Sequence, residues 1–588
     1  MKSKENDMVI VVLAEKEKQA EAYATALGQF RKKKGAYVIR QSPYFPVEVH
    51  VVAAEGHLFE YSEPDNWSLD KLPLTNVSFK QHLKEDKDSR EKFKRIYDEV
   101  VAADQVIIGT DADREGERIA YSILSYIPGG KEKIWKRLWA SSMTKKALQK
   151  AFQELKEPSE TYNYYLEAEA RAQSDWLVGM NLSPLATLDL QARGQLPRTK
   201  GSHLSVGRVQ TPAVRLVCEN DLEIRNFTPE KYWKLQLEDI KNGVFFTTKD
   251  KTKDSEAILA SSRGLSTTSV VSSVEVEEHQ KSAPQLFTLS ELQSFAASAW
   301  KFDSSKTESI VEGLYLEGFL SYPRPDSEYI NHFEFDDLKD NLSAYQKAIN
   351  CHFQPAFLEP REDYVNDEKV SGTSHSALIP TERIPNLSNL KTDQRLIYEA
   401  VVKQAILMFA DDCYYSTKTI EVENNGLVFK TKGRTLNKLG WTEWSSRKVR
   451  GPVEVPDYQV GDKIDTQVQI VGGETKPPKR LTESQLIGQI FPKYGLGTQA
   501  TRGEIIKKIQ SKGYVVKDKK TGQLTPTNKA YLLINYLYDN EFSDPETTGG
   551  WEMFLSQIGE GTINPREFVD AIKDKLTLQI KEVKERGD

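Results

Sequence analysis

The sequence predicts a multidomain protein: an N-terminal α/β domain built on a parallel sheet, followed by separate helical and β-rich parts. Three observations carry this expectation. The chain has 588 residues, which at about 150 residues per domain means roughly four domains. Roughly the first 150 residues alternate continuous apolar runs with helical periodicity, the pattern of a doubly wound sheet. Beyond them, helical and alternating β-rich stretches follow one another in blocks.

Composition narrows the class. Hydrophobic residues make up 38% and charged residues 28%, so the chain can bury several cores and is not mainly disordered. Glycine and proline usage is ordinary, which excludes collagen-like classes. Cys218, Cys351 and Cys413 lie far apart with no CxxC, which argues against a zinc ribbon or a disulfide scaffold. The apolar run at 8–14 is flanked by Glu5, Asp7 and Glu15 and lacks the cleavage region of a signal peptide. No stretch approaches the roughly 18 apolar residues of a membrane span. A soluble, cytoplasmic protein is expected.

Taken in order, 8–14 (MVIVVLA) reads as a buried parallel strand, 17–27 as a helix and 47–53 as a strand. Residues 106–110 (VIIGT) form a third buried strand and 114–125 a helix. A last strand is expected at 135–140, with Ser141 and Ser142 capping a helix through 155. Residues 159–221 are mainly helical, broken by a loop at 194–205. Residues 231–278 read as strands, 290–300 and 305–317 as amphipathic helices, 393–409 as a helix and 417–431 as strand. The two β-rich stretches suit one domain interrupted by an insertion. Pro477 and Pro478 mark a linker, and helices return at 483–490, 505–509 and 568–583. No internal repeat is visible.

The net charge is −6, yet two windows are basic. Residues 191–215 hold Arg193, Arg198, Lys200, Arg208 and Arg215 without an acid, and residues 476–529 carry a net of +9. Two such windows in an acidic chain point to a polyanionic partner.

Asp111, Asp113 and Glu115 follow the VIIGT strand, and Glu15 follows the MVIVVLA strand. The carboxyl edge of an open α/β sheet is where ligands bind. If the two strands are neighbours, four carboxylates converge and need a cation or altered ionisation. Oxygen-only donors suit Mg²⁺. This pattern resembles the Toprim domain of topoisomerases, bacterial primases and some nucleases, and by itself leaves the three open.

Tyr322 stands out among the tyrosines. Gly318 ends a helix, and Pro323 and Pro325 fix an extended backbone with Tyr322 and Arg324 on one face. A phenol beside a guanidinium suits attack on a phosphodiester; a surface Tyr–Arg stack is the equal alternative on this segment alone. GFLSYPRPDS resembles the active-site motif of type IA DNA topoisomerases, with Pro325 where that family usually has Thr. Other stretches agree in order: Ala14-Glu15-Lys16, Glu55-Gly56-His57, TDADREGE at 110–117, and RAQSDWLVG at 171–179 with Gln173 in place of an arginine. LSVGRVQTP at 204–212, His375 with Ile379-Pro380-Thr381, and GLGTQATR at 495–502 complete the set, which spans about 8–560.

The resemblance implies a toroidal type IA fold with an N-terminal Toprim domain. It implies Toprim at 1–154, a helical base at 155–225 and 475–588, a β-rich arch at 226–284 and 396–474, and a helical domain carrying the tyrosine at 285–395. It implies Tyr322 as nucleophile, Lys16 and Arg324 on the scissile phosphate, Glu15 as general acid and His375 at the phosphate or ordering the acids. Glu15, Asp111, Asp113 and Glu115 would hold Mg²⁺, with no zinc and no ATP. Arg171, Asp175, Ser205, Arg208, Gln210 and Thr501 would line a groove for single-stranded or locally unpaired DNA. A monomer is implied, with a helicase as possible partner. GLGTQATR and the lack of zinc ribbons resemble the topoisomerase III branch. A Toprim nuclease or primase would use the same acids without Tyr322.

Overall fold

The structure is a computed structural model that describes residues 8–587 except 200, 326, 372–374, 447, 448 and 500. Lys200 of the first basic window and Asp326 of the tyrosine segment therefore lie outside the described residues.

The apolar run becomes the strand Val9–Ala14 at the heart of a six-stranded sheet. It lies parallel to Glu48–Ala53 on one side and Gln105–Gly109 on the other. Strand alternation splits its side chains between two cores. Ile10, Val12 and Ala14 pack with the helices Glu17–Leu27 and Lys145–Gln153. Val11 and Leu13 pack with Lys87–Ala102 and Arg114–Ser125. The expected neighbouring of the two acid-bearing strands is thus realised.

Several details differ from the sequence reading. The last strand is Ile134–Arg137 rather than 135–140. Thr144, not Ser141 or Ser142, caps the following helix, because its hydroxyl accepts from Ala147 N at 3.3 Å. The hairpin Phe30–Lys33 with Ala36–Ile39 extends the sheet and was not anticipated, since its first strand is polar and exposed.

The helix Pro158–Ala192 runs out from the α/β domain with Pro184 inside it. It shares one core with Gln210–Arg225 and with the C-terminal helices Pro545–Gly559 and Pro565–Gly587. The two β-rich stretches close into one six-stranded barrel. A helix, Ser255–Arg263, interrupts the stretch read as all strand, capped by Asp254. The stretch read as strand at 417–431 is a hairpin, Cys413–Asn424 with Leu427–Lys438. It turns at Asn425-Gly426, both at positive φ, the pair a tight hairpin favours. Between the barrel halves a helical unit packs around Leu292, Val311, Leu320 and Val401. The helix Thr392–Ile406 belongs wholly to that core, so a boundary at 395 would cut it.

Under the carboxyl ends of the sheet lies a fully buried ion pair. Arg137 Nε donates to Glu117 Oε1 at 2.5 Å. The same guanidinium donates to the carbonyls of Thr110 (2.8 Å), Leu138 (2.6 Å) and Asp111 (2.5 Å). Arg137→Met strands Glu117 as a buried charge and should cost about 3–5 kcal/mol. Arg137→Met with Glu117→Leu should recover much of it. Urea unfolding of the α/β domain checks this, and a single-variant loss within about 1 kcal/mol would overturn it.

Candidate active site

Sheet geometry assembles the acids. Glu15 and Lys16 leave the end of Val9–Ala14, and Asp111 and Asp113 leave the adjacent strand Gln105–Gly109. Gln19, on the first turn of the next helix, links them: its Oε1 accepts from Glu15 N at 2.8 Å and its Nε2 donates to Asp111 Oδ1 at 3.1 Å. Asp111 N donates to Glu15 Oε2 at 3.3 Å. Asp113 caps the helix Arg114–Ser125, accepting from Gly116 N at 2.8 Å. Burial, reinforced by the nearby Asp111, pushes Glu15 up to about 8, and burial with the charge of Asp113 pushes Asp111 up to about 6.

The tyrosine arrives from the helical unit. Tyr322 N donates to Ser141 O at 2.8 Å, pinning the segment to the α/β domain. Its phenol donates to Asp113 Oδ2 at 2.7 Å, and the residue is 1% exposed. Burial and the charges of Asp113 and Asp111 hold the phenol well above the usual tyrosine range. The His375 ring stacks on the Tyr322 ring with centroids 3.9 Å apart. His375 Nε2 donates to Ala112 O at 2.6 Å. Burial pulls His375 down to about 4, so it is neutral at pH 7. Trp139 stacks behind His375 at 6.3 Å and lies 4.8 Å from the Arg137 guanidinium. Tyr315 meets Tyr322 edge-on at 5.5 Å.

Two cations complete the cluster. Lys16 Nζ lies 3.3 Å from Glu15 Oε1. Arg324 carries interactions with Tyr322, Asp113 and Asp111 that outweigh its burial. Glu15, Lys16, Asp111, Asp113, Tyr322, Arg324 and His375 are thus brought to one seam between the α/β domain and the helical unit.

Other expected site residues stand elsewhere. Glu115 turns away to Arg171 Nη1 at 3.0 Å and His57 Nε2 at 3.4 Å. The hydrogen bond with His57 and the charges of Arg171 and Arg114 override burial and hold it well below the usual carboxylate range. Among the described residues no group of three or more His, Cys, Asp or Glu is arranged to hold a metal ion, so the four-carboxylate cage expected from sequence is not preformed. Arg208 is a correction. Its side chain is fully buried, bound to Asp175 Oδ1 at 2.8 Å and 2.7 Å from Glu552 Oε1. A guanidinium so enclosed cannot touch a strand, whereas Asp175 itself is exposed. Ser205 N donates to Tyr514 Oη at 2.7 Å, and Gln210 Nε2 donates to Ser205 O at 2.8 Å. Thr501 Oγ1 accepts from Thr498 N at 2.9 Å beside the helix Arg502–Ser511. Part of the second basic window is also paired, Arg480 with Asp221 and Lys517 with Glu483.

Sequence reasoning missed Gln19, Arg137, Trp139 and Glu552. For Gln19 a signal existed: an amide at the first turn of a helix that follows an acid-bearing strand. The other three act through partners on other elements, Glu117, His375 and Arg208.

Comparison with known proteins places this geometry in context. A family model described as DNA topoisomerase matches residues 159–570, and a Toprim domain model matches 10–142. The chain is similar to DNA topoisomerase 1 of Alkalihalophilus pseudofirmus, 30% identical over 97% of this chain and 84% of that one. It is similar to DNA topoisomerase 3 of Bacillus subtilis, 30% identical over 98% and 82%. Among solved structures, full-length topoisomerase I from Thermotoga maritima shares the fold, with a TM-score of 0.72 at 21% identity, covering 96% of this chain and 89% of that one. The Toprim domain implies a divalent metal site. No described helix is long and apolar enough to cross a membrane.

The acid loop has no room at Gly116, where an added Cβ would fall 2.1 Å from Asp111 O. Gly116→Ala should cost at least about 1–3 kcal/mol. Gly313→Ala, in a helix where a Cβ meets nothing within 4 Å, should instead gain up to about 1 kcal/mol. Thermal melts compare them, and an unchanged Gly116→Ala melt would contradict the loop geometry.

Proposed function

The chain belongs to the type IA DNA topoisomerase family, and we propose that its chemistry runs through Tyr322 at the seam described above. It is an isomerase that needs no ATP: it cuts one DNA strand, keeps the 5′ phosphate on a tyrosine, passes another strand and reseals. Covalent storage of the phosphodiester makes the two transfers nearly equal in energy. We assign the chain to the bacterial topoisomerase III branch, which GLGTQATR and the relatives of that name support.

The observation that carries the residue assignment is the Tyr322–Asp113 hydrogen bond within the cluster of acids and cations. In this reading Tyr322 Oη bonds to phosphorus as the bond to the 3′ oxygen breaks. The phenolic proton passes to Asp113, which already accepts it. Glu15, held near 8, carries the proton that the leaving 3′ oxygen takes; resealing runs the transfers backwards. Lys16 and Arg324 bind the scissile phosphate. His375 stays neutral, fixes the tyrosine ring by stacking and is itself fixed by Ala112 O.

Glu15, Asp111 and Asp113 are oxygen donors of the kind a hard divalent cation takes, and their mutual repulsion and burial raise two of them, but they would have to draw together to hold one. Mg²⁺ is the proposed ion, and when bound it supplies positive charge beside the phosphate. Glu115 would join only by leaving Arg171 and His57. Arg171, Asp175, Ser205, Gln210 and Thr501 are the proposed strand contacts, with Arg208 positioning Asp175. The substrate is single-stranded or locally unpaired DNA, acted on by a monomer, with duplex opening by a helicase as a compatible partner activity.

Tyr322→Phe should lose all covalent adduct with labelled single-stranded DNA while binding that DNA as before. Adduct retained by the phenylalanine variant would sink the nucleophile assignment, and free cut ends without adduct would indicate a Toprim nuclease. Excess EDTA should stop relaxation, and relaxation undiminished in EDTA would remove the metal from the reading. Opening duplex costs on the order of 1.4 kcal/mol per base step. Gapped catenanes should therefore be unlinked faster than intact negatively supercoiled plasmid is relaxed, with positively supercoiled DNA slowest; equal rates on all three would refute the single-strand requirement.

A further inference from the structure

The helix Ser304–Leu316 carries two acids that the reading above does not use. Glu308 and Glu312 are four residues apart and so lie on one face. Glu308 Oε1 accepts from Arg324 Nε at 3.1 Å, and Glu312 Oε1 lies 3.5 Å from Lys16 Nζ. One helix face thus reaches both cations assigned to the scissile phosphate.

We propose that Glu308 and Glu312 are phosphate placeholders, positioning residues that hold Arg324 and Lys16 when no strand is bound and yield them to the scissile phosphate. This rests on the reading that Lys16 and Arg324 bind that phosphate. A carboxylate and a phosphodiester present a guanidinium with the same charge and similar oxygen geometry. They therefore compete for one donor set. The Arg324 side chain is 26% exposed and faces Asp111 and Asp113 as well as Glu308, so it keeps charge partners when Glu308 yields it. Once the phosphate is seated, the two glutamates become like charges beside it and favour its release.

The two positions differ in weight. Glu308 is 8% exposed, whereas the Lys16 and Glu312 side chains are each 33% exposed. Exposed pairs are weak, so Glu308 is the stronger competitor. Tyr315, on the same helix, touches the Tyr322 ring, which couples displacement of this face to the nucleophile.

The test uses the full chain carrying Tyr322→Phe, so that binding is read without cleavage. The probe is a fluorescent single-stranded DNA of about eight nucleotides, within the usual site size. Glu308→Gln should bind it up to about tenfold more tightly, the worth of one charge-assisted hydrogen bond. Glu312→Gln should tighten it about twofold, and Glu308→Asp, which keeps the charge, should stay near the parent. In the Tyr322 enzyme, Glu308→Gln should lower KM for gapped circles without raising kcat, at an unchanged melting temperature. A merely structural glutamate would move the melting temperature and leave affinity unchanged or weaker, and that result overturns the proposal. Should Glu308→Gln fold poorly, Glu312→Gln at the half-exposed position decides, with equal or weaker binding again negative. Arg324→Ala and Lys16→Ala run alongside. If they do not weaken binding, the phosphate assignment itself has failed; if they do and the glutamine variants do not tighten it, only the placeholder role has.

Discussion

The arrangement depends on one buried guanidinium. Arg137 sits beneath the carboxyl edge of the sheet, neutralised by Glu117, and ties the carbonyls of Thr110, Asp111 and Leu138 together. The first two belong to the segment that presents Asp111 and Asp113, and the third to the strand end that leads to Trp139. Above the guanidinium lie Trp139, then His375, then Tyr322. A single cation thus sets both the loop bearing the acids and the ring stack against which Tyr322 rests. The arrangement is stiff because the guanidinium is fully buried with each of its nitrogens bonded, and a lost partner is most costly in such a setting.

Much of the α/β domain was legible because its signals are local. Continuous apolar runs gave the central strands, and the helices Glu17–Leu27 and Arg114–Ser125 fall on the residues expected. The convergence of Glu15 with Asp111 and Asp113 followed from placing acids after two neighbouring strands. What could not be read depends on partners far away in the chain. Arg208 looks like a free cation beside glycine and glutamine, yet Glu552, more than three hundred residues on, encloses it. Glu115 shares the spacing of its acidic neighbours, but the helix turn points it to Arg171 on another element. The Asn425-Gly426 turn is a local hairpin signal that reading 417–431 simply as strand passed over.

Electrostatically, the closed seam is balanced rather than merely acidic. Glu15, Asp111 and Asp113 face Lys16 and Arg324, which are shared in turn with Glu312 and Glu308. Farther along, Arg114, Arg171 and Arg208 interleave with Glu115, Glu167 and Glu552, joining the α/β domain to the long helix and the C-terminal helices. Among the described residues the seam carrying Tyr322 is crossed by fewer and more exposed ion pairs, such as Lys18 with Glu317 and Lys146 with Asp337. Of the two junctions, the one at the tyrosine is the easier to part.

The barrel has a mechanical consequence. The helical unit is inserted between Thr268–Lys281 and Cys413–Asn424, and these two strands pair with each other up to Lys281 opposite Cys413. The chain therefore leaves and re-enters through one double-stranded strap rather than two independent tethers. Such a strap flexes across its flat face but cannot lengthen, and its fixed register forbids one strand from creeping past the other. A swing of the helical unit is thereby confined to an arc with a reproducible end point. For an enzyme that must rejoin the two ends it has separated, such a strap would guide Tyr322 back to the acids it faces here.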